Sequence, residues 1–513
     1  MSVVGCVLRT LTLKRCVRRT HPTLPIKTYI LGVQNLFWTS YLNTMNTYLF
    51  YDLETTGLNT AFDQVLQFAA IRTDLALNEI ERHEILVKLR PDVIPSPEAT
   101  ITHRISIEQS MQGVCEFEAI SQIHRLINQE GTISLGYNSS TFDDEFLRFC
   151  FHRNLLPPYS HQYKNACRRV DLLPITIMFF LYKKEVLNWS EIDGKPTMRL
   201  EHLNAANQLA TGQAHNAMID VEASLELARQ FFLKEPKMWQ YLDGFFNKET
   251  DMKRINKIPV SFHSIACSNR IALMISNEYG AENQYQVPVL LIGHSIPYKN
   301  QSIWLRLDRA DLRETTPEKT WIIRKKYGEP NIVLPPEPRY WEYLGEERQA
   351  IVEENKDWLQ SHTQRFHKII QYHREFSYPK IPDLDIDAAL YQKEFLSGQE
   401  QALCRRFHTA SQKVEIVNLF QDVEMRQLAS RLLCRNYPDN LPTMLTKDFE
   451  DYMRRVKGEA LRDIKNKKRT TPLDALTEID KLRIEGTLDS QQLELLDELE
   501  NYLKQNFPKE SKL

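Results

Sequence analysis

The stretch YLFYDLETTG at residues 48–57 constrains the fold of this chain more than any other. Tyr48, Leu49, Phe50 and Tyr51 read as a buried β-strand. Asp52 and Glu54 follow two apart, so they share one face while Leu53 points to the other. Two neighbouring carboxylates in a largely buried sheet are costly unless cations neutralise them. Thr55, Thr56 and Gly57 end the strand, and ligands of α/β sheets gather at the carboxyl ends of strands. An acid pair at a wet strand end would give the same string, so the rest of the chain has to decide.

From Tyr48 to about Lys237, short apolar runs alternate with helical stretches, the pattern of an α/β domain. The expected strands are YLFYDLE, VLQFAAIRTD (65–74), HEILVKLR (83–90) and TISLGYN (132–138). Helical spacing marks 116–128, 142–154, 198–210 and 217–232. Residues 255–330 change texture, with β-like pieces at 288–293 and 302–309 broken by Pro, Asn and Gly, as in a small, mostly β module. A helical stretch near 346–376 leads to a Pro-rich hinge, SYPKIPDLD (377–385), and from Ala388 onward the chain reads as amphipathic helix. The Leu pattern of 490–506 is that of a core-facing stripe, with a partner-binding coil as the other option.

Composition excludes more than it assigns. With 513 residues, 42% hydrophobic, the chain is expected to form two to four globular domains. No run approaches the ~20 apolar residues of a membrane span; ITIMFFLY (175–182) is too short and is followed by Lys183 and Lys184. The eight cysteines are scattered without a C-x-x-C pair, as a reducing cytoplasm permits, which argues against a disulfide framework or structural zinc. The first 45 residues hold six basic side chains and no acid. Taking those charges from a net of −2 leaves residues 46–513 at −8, so a DNA-binding surface must be a local basic groove on an acidic body. That segment resembles a mitochondrial presequence in composition, but is read here as an extension upstream of Met45, outside the fold.

Further acids lie at matching places. GYNSSTFDDEF (136–146) leaves the fourth strand and enters a helix with Asp143 and Asp144 in its first turn, where the helix dipole alone favours an acid. In QAHNAMIDVEAS (213–224), His215 precedes a helix and Asp220 lies within it, with Ala214, Ala217 and Ala223 small enough for close packing on a sheet. Singly, each has an ordinary structural explanation. Together, Asp52, Glu54, one of Asp143 and Asp144, and Asp220 supply four hard oxygen ligands, and His215 adds a proton-exchanging group. Carboxylates without Cys or clustered His suit Mg²⁺ or Mn²⁺, and two such ions ~3.5–4 Å apart can hydrolyse a phosphodiester.

D-x-E on the first strand, Asp after an aromatic at a helix start, and H-x-A-x-x-D resemble the DEDD exonuclease superfamily in its histidine-bearing branch. QFAAIRTD (67–74), GYNSSTFDDE (136–145), RLEHL (199–203) and HNAMIDV (215–221) resemble the bacterial exonuclease I family within it, as does the spacing from Asn138 to Phe142, one residue longer than in the wider superfamily. The likeness is dense over 48–232 and thinner beyond, in pieces such as ALYQKEF (389–395) and LLCRNYPDNLP (432–442). It implies an RNase H-like exonuclease domain (46–237), an SH3-like, mostly β domain with a helical stretch (238–380) and an all-helical C-terminal domain (381–513) closing over the groove.

Residue by residue, the resemblance implies Asp52, Glu54 and Asp220 as metal ligands, Asp143 rather than Asp144 as the remaining catalytic acid, and His215 as general base. Glu54 would also touch the terminal nucleotide, and Arg199, Arg148, Tyr159 and Tyr163 would contact the strand by charge and stacking. A further family contact position holds Ile177, which cannot replace a cation.

The expected activity is Mg²⁺-dependent 3′→5′ digestion of single-stranded DNA to 5′-mononucleotides by a cytoplasmic monomer that serves DNA repair, with Mn²⁺ able to substitute. The family also implies a second partner, the acidic tail of single-stranded DNA-binding protein. Arg306, Arg309, Arg324, Lys325 and Lys326 are basic candidates for that tail, although IIRKKYG (322–328) reads as a solvated turn. The alternative is an exoribonuclease or proofreading-type exonuclease; such chains are generally single catalytic domains, and the long stretch after residue 237 weighs against it. A binding protein with a dead site is the remaining reading, opposed by the competent residue type at each of the five positions.

Overall fold

The computed structural model describes residues 46–508 apart from 213–214, 266, 440 and 459–460. The basic extension and Ala214 therefore lie outside the described residues. The first sheet has five strands, β1 (Thr47–Thr55), β2 (Val65–Thr73), β3 (Glu79–Leu86), β4 (Thr132–Gly136) and β5 (Arg168–Asp171), in the order β3-β2-β1-β4-β5. β1, β4 and β5 run parallel, while β2 and β3 are antiparallel additions.

Alternation along β1 sorts its side chains into two cores. Tyr48 and Phe50 pack with Ile175, Phe179, Ala217, Val221 and Ala223 of helices Leu172–Tyr182 and Ala217–Lys234. Leu49, Tyr51 and Leu53 pack with Ile120, Ile123, Phe146 and Cys150 of helices Glu116–Ile127 and Asp143–Arg153. Asp52 and Glu54 continue the first of these faces, where the apolar pattern stops.

Two strands depart from the expected pattern, for one reason. β3 starts earlier than 83 because it is an edge strand whose charged side chains face solvent, so the apolar cue lay further along. β5, RRVD, carries no apolar signature. Its arginines are compensated elsewhere, Arg168 by Asp243 at 2.8 Å and Arg169 by Asp144.

After a small hairpin, β6 (Glu191–Ile192) and β7 (Lys195–Pro196), and the helices Pro236–Asp243 and Lys248–Lys257, the chain builds an all-antiparallel second sheet. Its strands are β8 (Phe262–His263), β9 (Ser268–Ile275), β10 (Gln286–His294), β11 (Gln301–Arg306), β12 (Ile322–Lys326) and β13 (Ile332–Leu334). Helices Gly345–Ser361 and Thr363–Glu375 cover one face through Val352, Leu359, Phe366 and Ile369, and Trp304 is enclosed on the other. IIRKKYG is not a solvated turn: most of it is β12, and Lys325 is wholly buried against Asp251 at 2.7 Å.

The C-terminal region is helical, with side-chain capping boxes at Ser397/Glu400, Thr471/Asp474 and Asp489/Gln492. The leucines of Ser490–Asn506 form a core stripe: Leu496, Leu499 and Leu503 pack with Phe62 and Ile101 of the nuclease domain. A buried ion network joins the same two domains. Asp92 meets Arg90 at 3.0 Å and Arg435 at 2.9 Å, and Arg435 reaches Asp387 at 2.5 Å.

Candidate active site

β1 ends in an irregularity: its register with β2 shifts between Glu54 and Thr55. Such bulges re-aim side chains beside functional sites. Here the strand delivers Asp52 and Glu54, half-buried, to a cavity of about 370 Å³. Asp143, His215 and Asp220 line the same cavity, and oxygens of Asp52, Glu54 and Asp220 lie within 4.8 Å of one another.

The Ala217–Lys234 helix is placed by its own start. Asn216 caps it by accepting from the Met218 and Ile219 amides at 3.1 and 3.4 Å. Ala217 and Ala223 are fully buried against the sheet, so the helix lies close enough for Asp220 to face the strand acids. The His215 amide donates to Asp220 Oδ2 at 3.2 Å. His215 itself adopts a left-handed backbone, φ 62°, and its exposed ring stands 3.4 Å from Glu201.

Asp143 and Asp144 part company. The Tyr51 hydroxyl donates to Asp144 at 2.8 Å, Arg169 pairs with it, and His161 lies 3.7 Å away, so Asp144 belongs to a buried structural knot. Burial disfavours its charge, but Arg169 and His161 outweigh that and hold the carboxyl well below the usual range. Asp143 lines the cavity instead. Asp171, which sequence reading passed over, fixes the loop before it: its carboxylate accepts from the amides of Asn138, Ser140 and Leu173 at 3.0, 3.1 and 3.0 Å.

The cavity acids are pushed the opposite way. Burial and the charges of Asp143, Glu54 and Asp220 raise Asp52 well above the carboxylate range. Burial, Asp220 and Asp143 push Glu54 up to about 9. Burial and Asp144 raise Asp143. Asp220 rises by burial to about 6, with His215 pulling it partly back. Mutual repulsion of this kind is relieved by a divalent cation, and an all-oxygen donor set fits a hard one.

The expected strand contacts are dispersed. The Arg199 side chain is 71% exposed and loosely paired with Glu201 at 3.5 Å, and Tyr163 is 67% exposed. Arg148 differs from its expected place on an open cationic track. It is 3% exposed, paired with Glu145 and 5.7 Å from the Tyr159 ring centroid, and Tyr391 of the C-terminal region closes the corner by donating to Glu145. Ile177 is wholly in the core. Of the basic candidates in the second domain, Arg306 is held by Asp308, Arg309 by Asp311 and Lys326 by Glu329, while Arg324 donates to the His373 carbonyl and Lys325 is buried.

Residues 49–228 match the family model Exonuclease, and residues 384–506 match Exonuclease I C-terminal domain. Exodeoxyribonuclease I of Escherichia coli is 29% identical over 437 residues, covering 80% of this chain and 90% of that protein. The likeness is to the exonuclease I family. The Haemophilus influenzae exodeoxyribonuclease I is 36% identical over 215 residues, 41% of this chain and 45% of its own. Among solved exonuclease I structures, the Escherichia coli protein in complex with a dA16 oligonucleotide superposes with a TM-score of 0.78 at 26% identity, covering 90% of this chain and all of that one. That likeness, with the acid cluster, makes this chain a nuclease that uses divalent metal. Sequence reasoning missed a further part of the lining, Leu58 with Ser96, Glu98, Ala99, Thr102 and His103, because PSPEATITH (95–103) signals only a capped helix.

Proposed function

We propose how the residues of this 3′→5′ exodeoxyribonuclease divide the hydrolysis of single-stranded DNA to 5′-mononucleotides between them. The convergence of Asp52, Glu54 and Asp220 within 4.8 Å carries the reading. These three, with Asp143, hold two Mg²⁺ ions, for which Mn²⁺ can substitute. Bound there, the cations supply an activated water and charge stabilisation for the leaving oxygen.

The chain's own groups do the rest. His215 takes the proton of the attacking water on its ring, and Glu201 and the Asp220 hydrogen bond orient it. Glu54 also meets the terminal nucleotide, and Arg199, Tyr159 and Tyr163 guide the strand towards it. Arg148 supports Tyr159 from within the packed corner. Relatives named exodeoxyribonuclease I favour DNA over the exoribonuclease alternative. An exonuclease I has been solved with SSB, and we extend that partner, through its acidic tail, to this chain. We further place the enzyme in the cytoplasm as a monomer: its six described cysteines are free, and one chain builds the whole cavity. Among the described residues no helix is long and apolar enough to cross a membrane.

The test is digestion of a 5′-labelled strand, as DNA and as RNA, with Mg²⁺ or EDTA. A ladder shrinking from the 3′ end on DNA alone, abolished by EDTA and slowed ~10²–10⁴-fold in His215→Ala, is expected. Equal cutting of RNA, or full activity in His215→Ala, would overturn the assignment.

A further inference from the structure

The cavity holds a second histidine, and it lies outside the strings that carry the family resemblance. His103 ends the helix Pro97–His103, borders the cavity and is 8% exposed. Its Nδ1 accepts a hydrogen bond from the Ile105 amide at 2.9 Å. An acceptor nitrogen carries no proton, so the neutral ring must carry it on Nε2. That Nε2 is buried and has no partner among the described residues. A buried donor left unpaired costs about 1–3 kcal/mol, and in a native site it calls for a partner.

The wall around it suggests what the partner is. The acids of the cavity suit cation-bound phosphate. The same cavity is also lined by Leu58, 74% exposed, Ala99, Thr102 and His103, uncharged side chains suited to a nucleoside, with Glu98 the one acid that the His103 helix adds. We propose that His103 is a substrate-contacting residue whose Nε2–H donates to an acceptor oxygen of the 3′-terminal nucleoside. The inference rests on the exonuclease reading and deepens it. The two histidines then have separate tasks: exposed His215 exchanges a proton, and His103, locked by a backbone amide, only donates.

The helix that carries His103 is rigidly held. Arg104 leaves it in a left-handed conformation, φ 58°, and pairs with Asp489 at 2.6 Å. Gln492 donates to the Ile101 carbonyl at 3.2 Å, and Glu478 accepts from the Glu98 amide at 3.3 Å. Glu478 and Gln492 lie in the last two described helices, Pro472–Glu485 and Ser490–Asn506, and Asp489 caps the second of them.

The experiment compares the full-length enzyme with His103→Ala and His103→Gln, the latter keeping an N–H donor. The KM for single-stranded DNA, kcat, calorimetric binding of 5′-dTMP and Tm are measured. His103→Ala should raise both the KM and the dTMP dissociation constant about tenfold, the scale of one hydrogen bond, with kcat little changed and Tm lowered because the Ile105 amide loses its acceptor. His103→Gln should recover most of the loss. Unchanged KM and dTMP affinity in His103→Ala, or a Gln variant as impaired as Ala, would overturn the proposal. If the unaltered enzyme bound dTMP but cut no strand, and His103→Ala still bound dTMP more weakly, strand hydrolysis would fall and the contact would stand.

Discussion

Asp52 and Asp92 are the same side chain in the same domain, yet the charges around them have opposite signs. Asp92 is enclosed by Arg435, Arg90 and Arg469, which overcome the cost of burial and hold its carboxyl far below the ordinary range. Asp52 is enclosed by Asp143, Glu54 and Asp220, and both burial and neighbours raise it. The first arrangement is finished without help and joins two domains. The second is complete only when cations arrive. Whether a buried acid supports the fold or the chemistry is therefore decided by its neighbours.

The sharpest way to break the comparison is to neutralise one acid of the open set. Asp52→Asn should lower kcat by at least ~10³-fold by removing a ligand, while calorimetry in EDTA shows stability unchanged or higher, because a repulsion is gone. The same kind of change in the closed set should act in reverse. Arg435→Met leaves Asp92 and Asp387 partly uncompensated and should cost about 3–5 kcal/mol in denaturant unfolding.

pH sharpens the contrast further. Glu54 and Asp220 have raised folded-state values of about 9 and about 6, so over that range the metal-free folded protein binds more protons than the unfolded chain. Its Tm should fall as pH rises from about 4 through 9. Saturating Mn²⁺ should abolish the fall by binding only the folded, ionised site. Asp92 behaves oppositely: its contribution is present above the unfolded value near 4 and lost as pH drops below it. The smallest effect concerns Asp144, the neighbour of the cavity-lining Asp143. Tyr51→Phe removes the hydrogen bond to Asp144 and should cost about 1–2 kcal/mol of stability, with Mn²⁺ binding measured by calorimetry preserved.

The open set was legible in the sequence because period-2 and helical spacing place Asp52, Glu54 and Asp220 without any long-range information. The choice between Asp143 and Asp144 was not legible locally, since both sit in one helix turn. It depends on Tyr51 and Arg169, which approach from other strands. β5 escaped notice because its arginines find their acids in Asp144 and Asp243, not in a neighbouring apolar run. His103 gave no signal for a similar reason. Its significance lies in what the amide of Ile105 does to one ring nitrogen, and no spacing rule encodes that.

The support of the cavity wall by Asp489 and Gln492 also fixes an order of assembly. Domains fold as they leave the ribosome, N-terminal parts first. The acids can therefore gather while hundreds of residues are still to be made, but the helix bearing His103 meets its partners only when the last two helices emerge. A nascent chain would thus gather its acids before the wall bearing His103 is braced, and on the reading proposed above an enzyme that consumes strands would gain its full grip only at the close of its own synthesis.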